Sequence, residues 1–314
     1  MEIIAATRLR AAGISSFIIE VDTTKAGTPS DQFQFTGVEG DYDVIAKQNG
    51  TQVATFNDLS GQETINLNNG GGIYILEVRP KASNGFNRIN FNNGGDKLKI
   101  TDIKQWGDIV WSSFENAFFG CSNMTVTATD VPNLSNVSSM LSMFLNATSA
   151  NPDTSNWDVS NVIDMRAVFR DATSANPNTS NWDVSSVTNM SGMFINATSA
   201  NPDTSNWNVS NVNNMSSMFR SASLANPDTS NWNVSNVTTM GFMFINATSA
   251  NPDTSNWDVS NVIFMRSMFQ NAESFNRDLS GWCVTNIASQ PINFDTGADA
   301  WVLANSRPVW GTCP

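Results

Sequence analysis

The chain contains no histidine. That removes the side chain that most often works as a general base near neutral pH. It also removes the usual partner of a serine or cysteine nucleophile and the commonest transition-metal ligand. The three cysteines, Cys121, Cys283 and Cys313, are too few for a disulfide framework. Charged residues are only 14% of the 314, and no lysine follows Lys104. The net charge is −12, so no basic stripe exists to hold a phosphate backbone, and nucleic acid is not an expected partner. No apolar run approaches the length of a membrane-spanning helix, so no membrane insertion is expected. The opening residues MEIIAATRLRAAGISSF lack the long apolar centre and cleavage site of a secretory signal, which points away from that export route. Hydrophobic residues make up 40% of the chain, enough for a real core.

What is present is repetition. NPDTSNW occurs at Asn151, Asn201, Asn226 and Asn251, and NPNTSNW at Asn176. Trp157, Trp182, Trp207, Trp232, Trp257 and Trp282 are 25 residues apart. The same step runs from Met140 to Met265, from Phe144 to Phe269 and from Ala147 to Ala272. A fixed period without insertions predicts a solenoid whose coils stack one on the next. Within one coil, Asn151-Pro152-Asp153 is turn chemistry. Residues 156–160 alternate polar and apolar, as a short half-buried strand does, with Trp157 and Val159 inward. Met165, Val168, Phe169 and Ala172 fall at i, i+3, i+4 and i+7, which predicts a short helix. Equivalent strands are expected to pair in parallel, about 4.8 Å apart, with tryptophans, methionines and phenylalanines as core columns. The inward phase of the tryptophans makes core a better reading than ligand stacking. Leu279, Trp282 and Val284 follow L-x-x-L-x-L, the leucine-rich repeat spacing; the middle copies have threonine in its first slot.

Residues 1–100 do not share the period and read as antiparallel β. FIIEV (17–21) and DQFQF (31–35) are candidate strands. Three hairpins are expected: 42–47 with 51–56 around Gln48-Asn49-Gly50, 64–67 with 74–78, and 88–91 with 97–103. The expected fold is therefore mainly β with short helices. A small β-sandwich-like domain (1–100) precedes the leucine-rich-repeat-like solenoid (101–290), and a C-terminal cap (291–314) closes it. Cys283 sits in the outward slot held by Asp258 one coil earlier. Pairing with Cys313 would pin the cap; two free thiols are the alternative.

The unit NWDVSNVxxMxxMFxNA resembles the repeats of the BspA family of leucine-rich repeat surface proteins. ITDIKQWGDIVWSSFENAFFGCSNM (100–124) resembles the segment leading into such repeats, and PVWGTCP (308–314) resembles their ending. The resemblance covers roughly residues 97–314. It departs from the family at Ala150, Ala175 and Ala200, where phenylalanine is usual; Phe275 keeps it. The resemblance implies surface attachment, adhesion or recognition, includes members among bacteriophage tail and prophage proteins, and implies no catalytic residues.

The candidate binding surface is a pair of outward polar columns. One holds Asn156, Asn181, Asn206, Asn231 and Asn256; the other holds Asp158, Asp183, Asn208, Asn233 and Asp258. Amide and carboxylate groups suit the hydroxyls of a host envelope glycan, or a host surface protein. The competing reading is a structural ladder of side chains bonded up the column. Mixing acids with amides relieves the repulsion that stacked aspartates would feel. The expected function is non-enzymatic recognition or adhesion, as a phage virion component contacting the host. The N-terminal domain would then attach to other virion proteins. A bacterial surface adhesin and a purely structural virion decoration protein are the alternatives. At the positions of the acid pair Asp153 and Asp158, at least one acid recurs with every coil, unlike a singular active site. No cofactor is expected. Calcium is considered because oxygen ligands are plentiful, but no known calcium-loop spacing appears.

Overall fold

The computed structural model describes residues 15–81, 85–302 and 306–314. The opening segment through residue 14 lies outside the described residues. Contacts divide the chain into two compact units, 1–138 with 143–153, and 139–142 with 154–314.

Among its described residues the first unit has eight strands. They are β1 (Phe17–Asp22), β2 (Gln32–Phe35), β3 (Asp41–Gln48), β4 (Thr51–Ser60), β5 (Glu63–Asn66), β6 (Ile73–Pro80), β7 (Ile100–Gln105) and β8 (Thr125–Val126). Six form one sheet in the order β4-β3-β6-β1-β7-β8, and β2 and β5 form a separate ribbon. The sandwich expected from the sequence is thus one large sheet and a two-stranded ribbon. Alternation sets the inner face: Phe17, Ile19 and Val21 of β1 and Tyr74, Leu76 and Val78 of β6 are buried. Phe17, Phe86, Trp106 and Trp111 gather against one another with centroids 5.2–6.2 Å apart. Lys99 and Asp96, both fully buried, tie down the loop before β2. The ammonium donates to the carbonyls of Thr28, Pro29 and Gln32, and the carboxylate accepts from Thr28 and Gln34. A buried charge pair is tolerated when its remaining hydrogen bonds are made in this way.

The hairpin around Asn49-Gly50 is present, with β3 paired to β4 and both turn residues at positive φ. The other two are not. β5 pairs with β2, while β6 pairs with β1 and β3, so the turn through Asn68 and Gly70 joins two different sheets. Residues 88–91 form no named strand and do not pair with β7, which pairs with β1 and β8 instead. The N–H groups of Phe91 and Asn93 donate to the carbonyls of Ala117 and Phe119, about one period further on. Phe118 and Gly120 likewise donate to Met143 and Leu145. The stacking geometry therefore starts earlier than the sequence period showed.

In the second unit each copy bonds to the next. Isolated parallel bridges run Ser139–Asp164–Asn189–Asn214–Thr239–Phe264, every 25 residues. The expected strands at 156–160 are absent: the alternation holds, with Trp157 and Val159 buried and Asn156 and Asp158 exposed, but the backbone bridges lie eight residues after Asn156, at Asp164. The expected helices are absent too; no helix occurs among the described residues. The physical reason is in the amides. Met165, Ala167, Phe169 and Asp171 donate to the carbonyls of Asn189, Ser191, Met193 and Ile195 in the next copy. Those N–H groups cannot also serve i→i−4 bonds. Ala167 and Asp171 sit at φ 53° and 58°, a left-handed step every fourth residue that breaks any helix.

Side chains follow the register. The indoles of Trp182, Trp207, Trp232, Trp257 and Trp282 stack with planes within 9° and centroids 6.1–6.4 Å apart. The rings of Phe169 to Phe269 stack at 5.6–5.7 Å. These separations exceed the backbone spacing, so the parallel rings are offset, the preferred aromatic arrangement. Each buried tryptophan contributes about 4–6 kcal/mol of gross apolar burial as an upper bound.

The tail continues the pattern with one extra residue. Ser267, Phe269 and Asn271 donate to Ile292, Phe294 and Thr296, and the left-handed steps recur at Asn293 and Gly297. Trp301 lies edge-on against Phe269 and Phe275, with the Arg307 guanidinium 4.0 Å from its ring. Cys283 and Cys313 are joined by a disulfide, whereas Cys121 is buried and free.

Candidate functional site

The heptad NPDTSNW is a set of fasteners between copies. The N–H of Asn201 donates to the Asn176 side-chain oxygen, and Asn226, Asn251 and Asn276 repeat the bond one copy later each time, at 2.9–3.1 Å. The buried hydroxyls of Thr154, Thr179 and Thr204 donate forward to the carbonyls of Asn178, Asp203 and Asp228 at 2.6–2.7 Å. Thr229 does the same to Asp253. The indole N–H of each tryptophan from Trp182 to Trp282 donates back to a threonine carbonyl 28 residues earlier, at 3.1–3.4 Å. In these four copies the threonine hydroxyl makes a bond to the next copy's backbone that leucine in this slot could not.

The predicted binding residues all lie exposed on the repeat surface. In the first column Asn156 donates to the Ser155 hydroxyl. Asn181, Asn206, Asn231 and Asn256 donate to the carbonyls of Ser155, Ser180, Ser205 and Ser230, one copy back, at 3.1–3.4 Å. The asparagines hold the neighbouring backbone; they do not bond one another. In the second column, Asp158, Asp183, Asn208, Asn233 and Asp258 each accept the N–H of the serine two residues on, at 3.0–3.2 Å. Each residue thus spends one group on the fold, and an amide or carboxylate has further groups to offer outward. A third column was missed in the sequence: Asn211, Asn236, Asn261 and Asn286 donate to Ser185, Ser210, Ser235 and Ser260 at 2.7 Å. Its signal was the recurring Asn of the SNV triplets at 210–212, 235–237 and 260–262 and of TNI at 285–287.

The serine bonds also set the charge state. The carboxyls of Asp183 and Asp258 are held below the ordinary carboxylate value, first by the hydroxyl and then by the N–H of Ser185 and Ser260. Asp203 is lowered in the same way by Ser205, and Asp253 first by the Ser255 N–H. Asp183 and Asp258 are therefore anionic at neutral pH. Among the described residues, no group of three or more Cys, Asp or Glu side chains is placed to hold a metal ion. No helix among them is long and apolar enough to cross a membrane.

A family model described as "Mycoplasma protein of unknown function, DUF285" matches residues 112–229 and 199–300, more than half of the chain. The chain belongs to this family. The DUF285 match spans the whole run of NPDTSNW copies and all the predicted binding residues. No curated protein and no solved structure matches the chain.

Proposed function

We infer that the chain is a non-enzymatic surface recognition protein, its DUF285 region a leucine-rich-repeat-like solenoid of 25-residue coils. The observation that carries this is the pair of exposed columns, in which one Asn or Asp side chain per copy recurs at a fixed step. Such a surface suits a polymer that itself repeats, and its amides and carboxylates suit sugar hydroxyls. The ligand class is a host envelope glycan or a surface protein bearing one. The setting is the surface of a phage virion, with the N-terminal unit attached to other virion proteins. A second reading, a bacterial cell-surface adhesin, is favoured by the description of the family as Mycoplasma protein.

The test compares wild-type protein with Asn208→Asp/Asn233→Asp and with alanine at Asn206, Asn208, Asn231 and Asn233, on a glycan array and on bacterial envelope fractions. The aspartates keep the caps on Ser210 and Ser235 and replace the outward amides. Weaker glycan binding is expected of both variants, measured well below melting temperatures that the five-aspartate column or the lost Asn206 and Asn231 bonds lower. Equal binding by all three proteins would remove the polar columns as the recognition surface.

A further inference from the structure

The backbone ladder of the second unit is complete from copy to copy and then stops. The N–H groups of Thr188, Asn213, Thr238 and Ile263 donate to the carbonyls of Ile163, Thr188, Asn213 and Thr238, and Met165, Met190, Met215 and Met240 donate forward to the next bridge residue. Among the described residues nothing donates to the Ile263 carbonyl, and the Met265 N–H has no acceptor. The ladder resumes only at Ser267, because the tail takes one residue more than a coil. Earlier bridge residues also cap the chain: Asp164, Asn189 and Asn214 accept the N–H two residues on. Phe264 stands at that position and has no acceptor to offer.

The gap is lined for an occupant. Where earlier copies have Thr188 and Asn189 or Asn213 and Asn214, the last has Ile263 and Phe264, 66% and 41% exposed, and Ile292 faces them at 63%. They border a groove of about 350 Å³ with Arg266 on its rim. Four copies earlier, the equivalent Arg166 is held by Asp164 at 2.6 Å. Arg266 has phenylalanine where that acid would be, and no acidic partner among the described residues.

We propose that this groove binds an extended acidic peptide segment of a partner protein, laid down as one further row of the ladder. An added strand supplies a carbonyl to Met265 N–H and an N–H to the Ile263 carbonyl. Its alternate side chains cover Ile263, Phe264 and Ile292, and a carboxylate meets Arg266. The charge selects the occupant: the ladder and apolar floor accept any extended chain, and the guanidinium favours one with an acid.

The full chain is titrated, by fluorescence anisotropy, with terminus-blocked heptapeptides of alternating valine and threonine. Each carries one glutamate at a scanned position, and a matched set carries lysine instead. Saturable binding of glutamate peptides is expected, with their lysine counterparts about fivefold weaker or more, the scale of an exposed charge pair. Phe264→Asn, which restores the residue and cap of earlier copies, abolishes binding while the melting temperature holds or rises. Arg266→Ser brings the two peptide sets to equal affinity. The proposal fails if no glutamate peptide binds, if both sets bind the wild type alike, or if Phe264→Asn binds as the wild type does. Self-association of the peptide-free chain in sedimentation, removed by Phe264→Asn, would instead assign the groove to a second copy.

Discussion

At the residue scale, the polar positions of the repeat turn out to be as constrained as the apolar ones. A buried threonine hydroxyl that donates to the next copy contributes the difference between a satisfied and an orphaned carbonyl, about 1–2 kcal/mol. The chain contains its own control. Thr204 donates to the Asp228 carbonyl at 2.6 Å, whereas the buried hydroxyl of Thr254 has no partner among the described residues. Thr204→Val is expected to lower the unfolding free energy by about 1–2 kcal/mol, and Thr254→Val to leave it unchanged or slightly raised. Urea midpoints at constant m-value read the difference. Equal losses at both sites would mean that the forward hydroxyl bond carries nothing.

At the scale of elements, the ribbon that replaces the expected helices rests on left-handed steps. Gly192 takes one at φ 65°, and its counterpart one copy earlier is Ala167 at φ 53°. A Cβ on Gly192 would meet the Ile195 Cδ1 at 2.9 Å, the movable end of a side chain. The cost of Gly192→Ala is therefore mainly conformational, about 1 kcal/mol, and Ala167→Gly should recover about 0.5–1 kcal/mol. Thermal melts of the two variants with opposite signs check this; the same sign in both would contradict the left-handed assignment. The sequence showed which residues face inward, because Met165, Val168, Phe169 and Ala172 are indeed buried. It did not show the backbone, since a ribbon that turns left every fourth residue leaves the same spacing as a helix. The same limit applies to the hairpins. Asn49-Gly50 has its strands paired across it, but the turn at Asn68 and Gly70 is equally good local chemistry and its strands pair elsewhere. Local residues fix a turn; only distant partners fix a sheet.

At the scale of the molecule, one ladder of hydrogen bonds runs through the second unit: each copy donates forward from its Met and Phe amides and back from the amide two residues before the Met. The 25-residue columns of Trp, Met and Phe were legible because identical copies need identical residues at identical height. The polar columns were legible as exposed, and the bonds of the first column to serine carbonyls were not, because donor and acceptor lie 26 residues apart. The end of the array was hidden for another reason: one extra residue in the tail shifts the match, so the sequence places a separate cap from 291 on while the ladder continues to Thr296. The account depends on that ladder, and amide hydrogen exchange reads it directly. Protection is expected at Met215, Ser217, Phe219 and Ser221, whose amides bond to the next copy, and more weakly at Ser216 and Arg220, which bond only to Asn214 and Ser217 of their own, with the same pattern 25 residues before and after. Unprotected amides at Met215 and Ser217 beside protected ones from Phe219 on, as at the first turn of a helix, or protection without the 25-residue step, would contradict it.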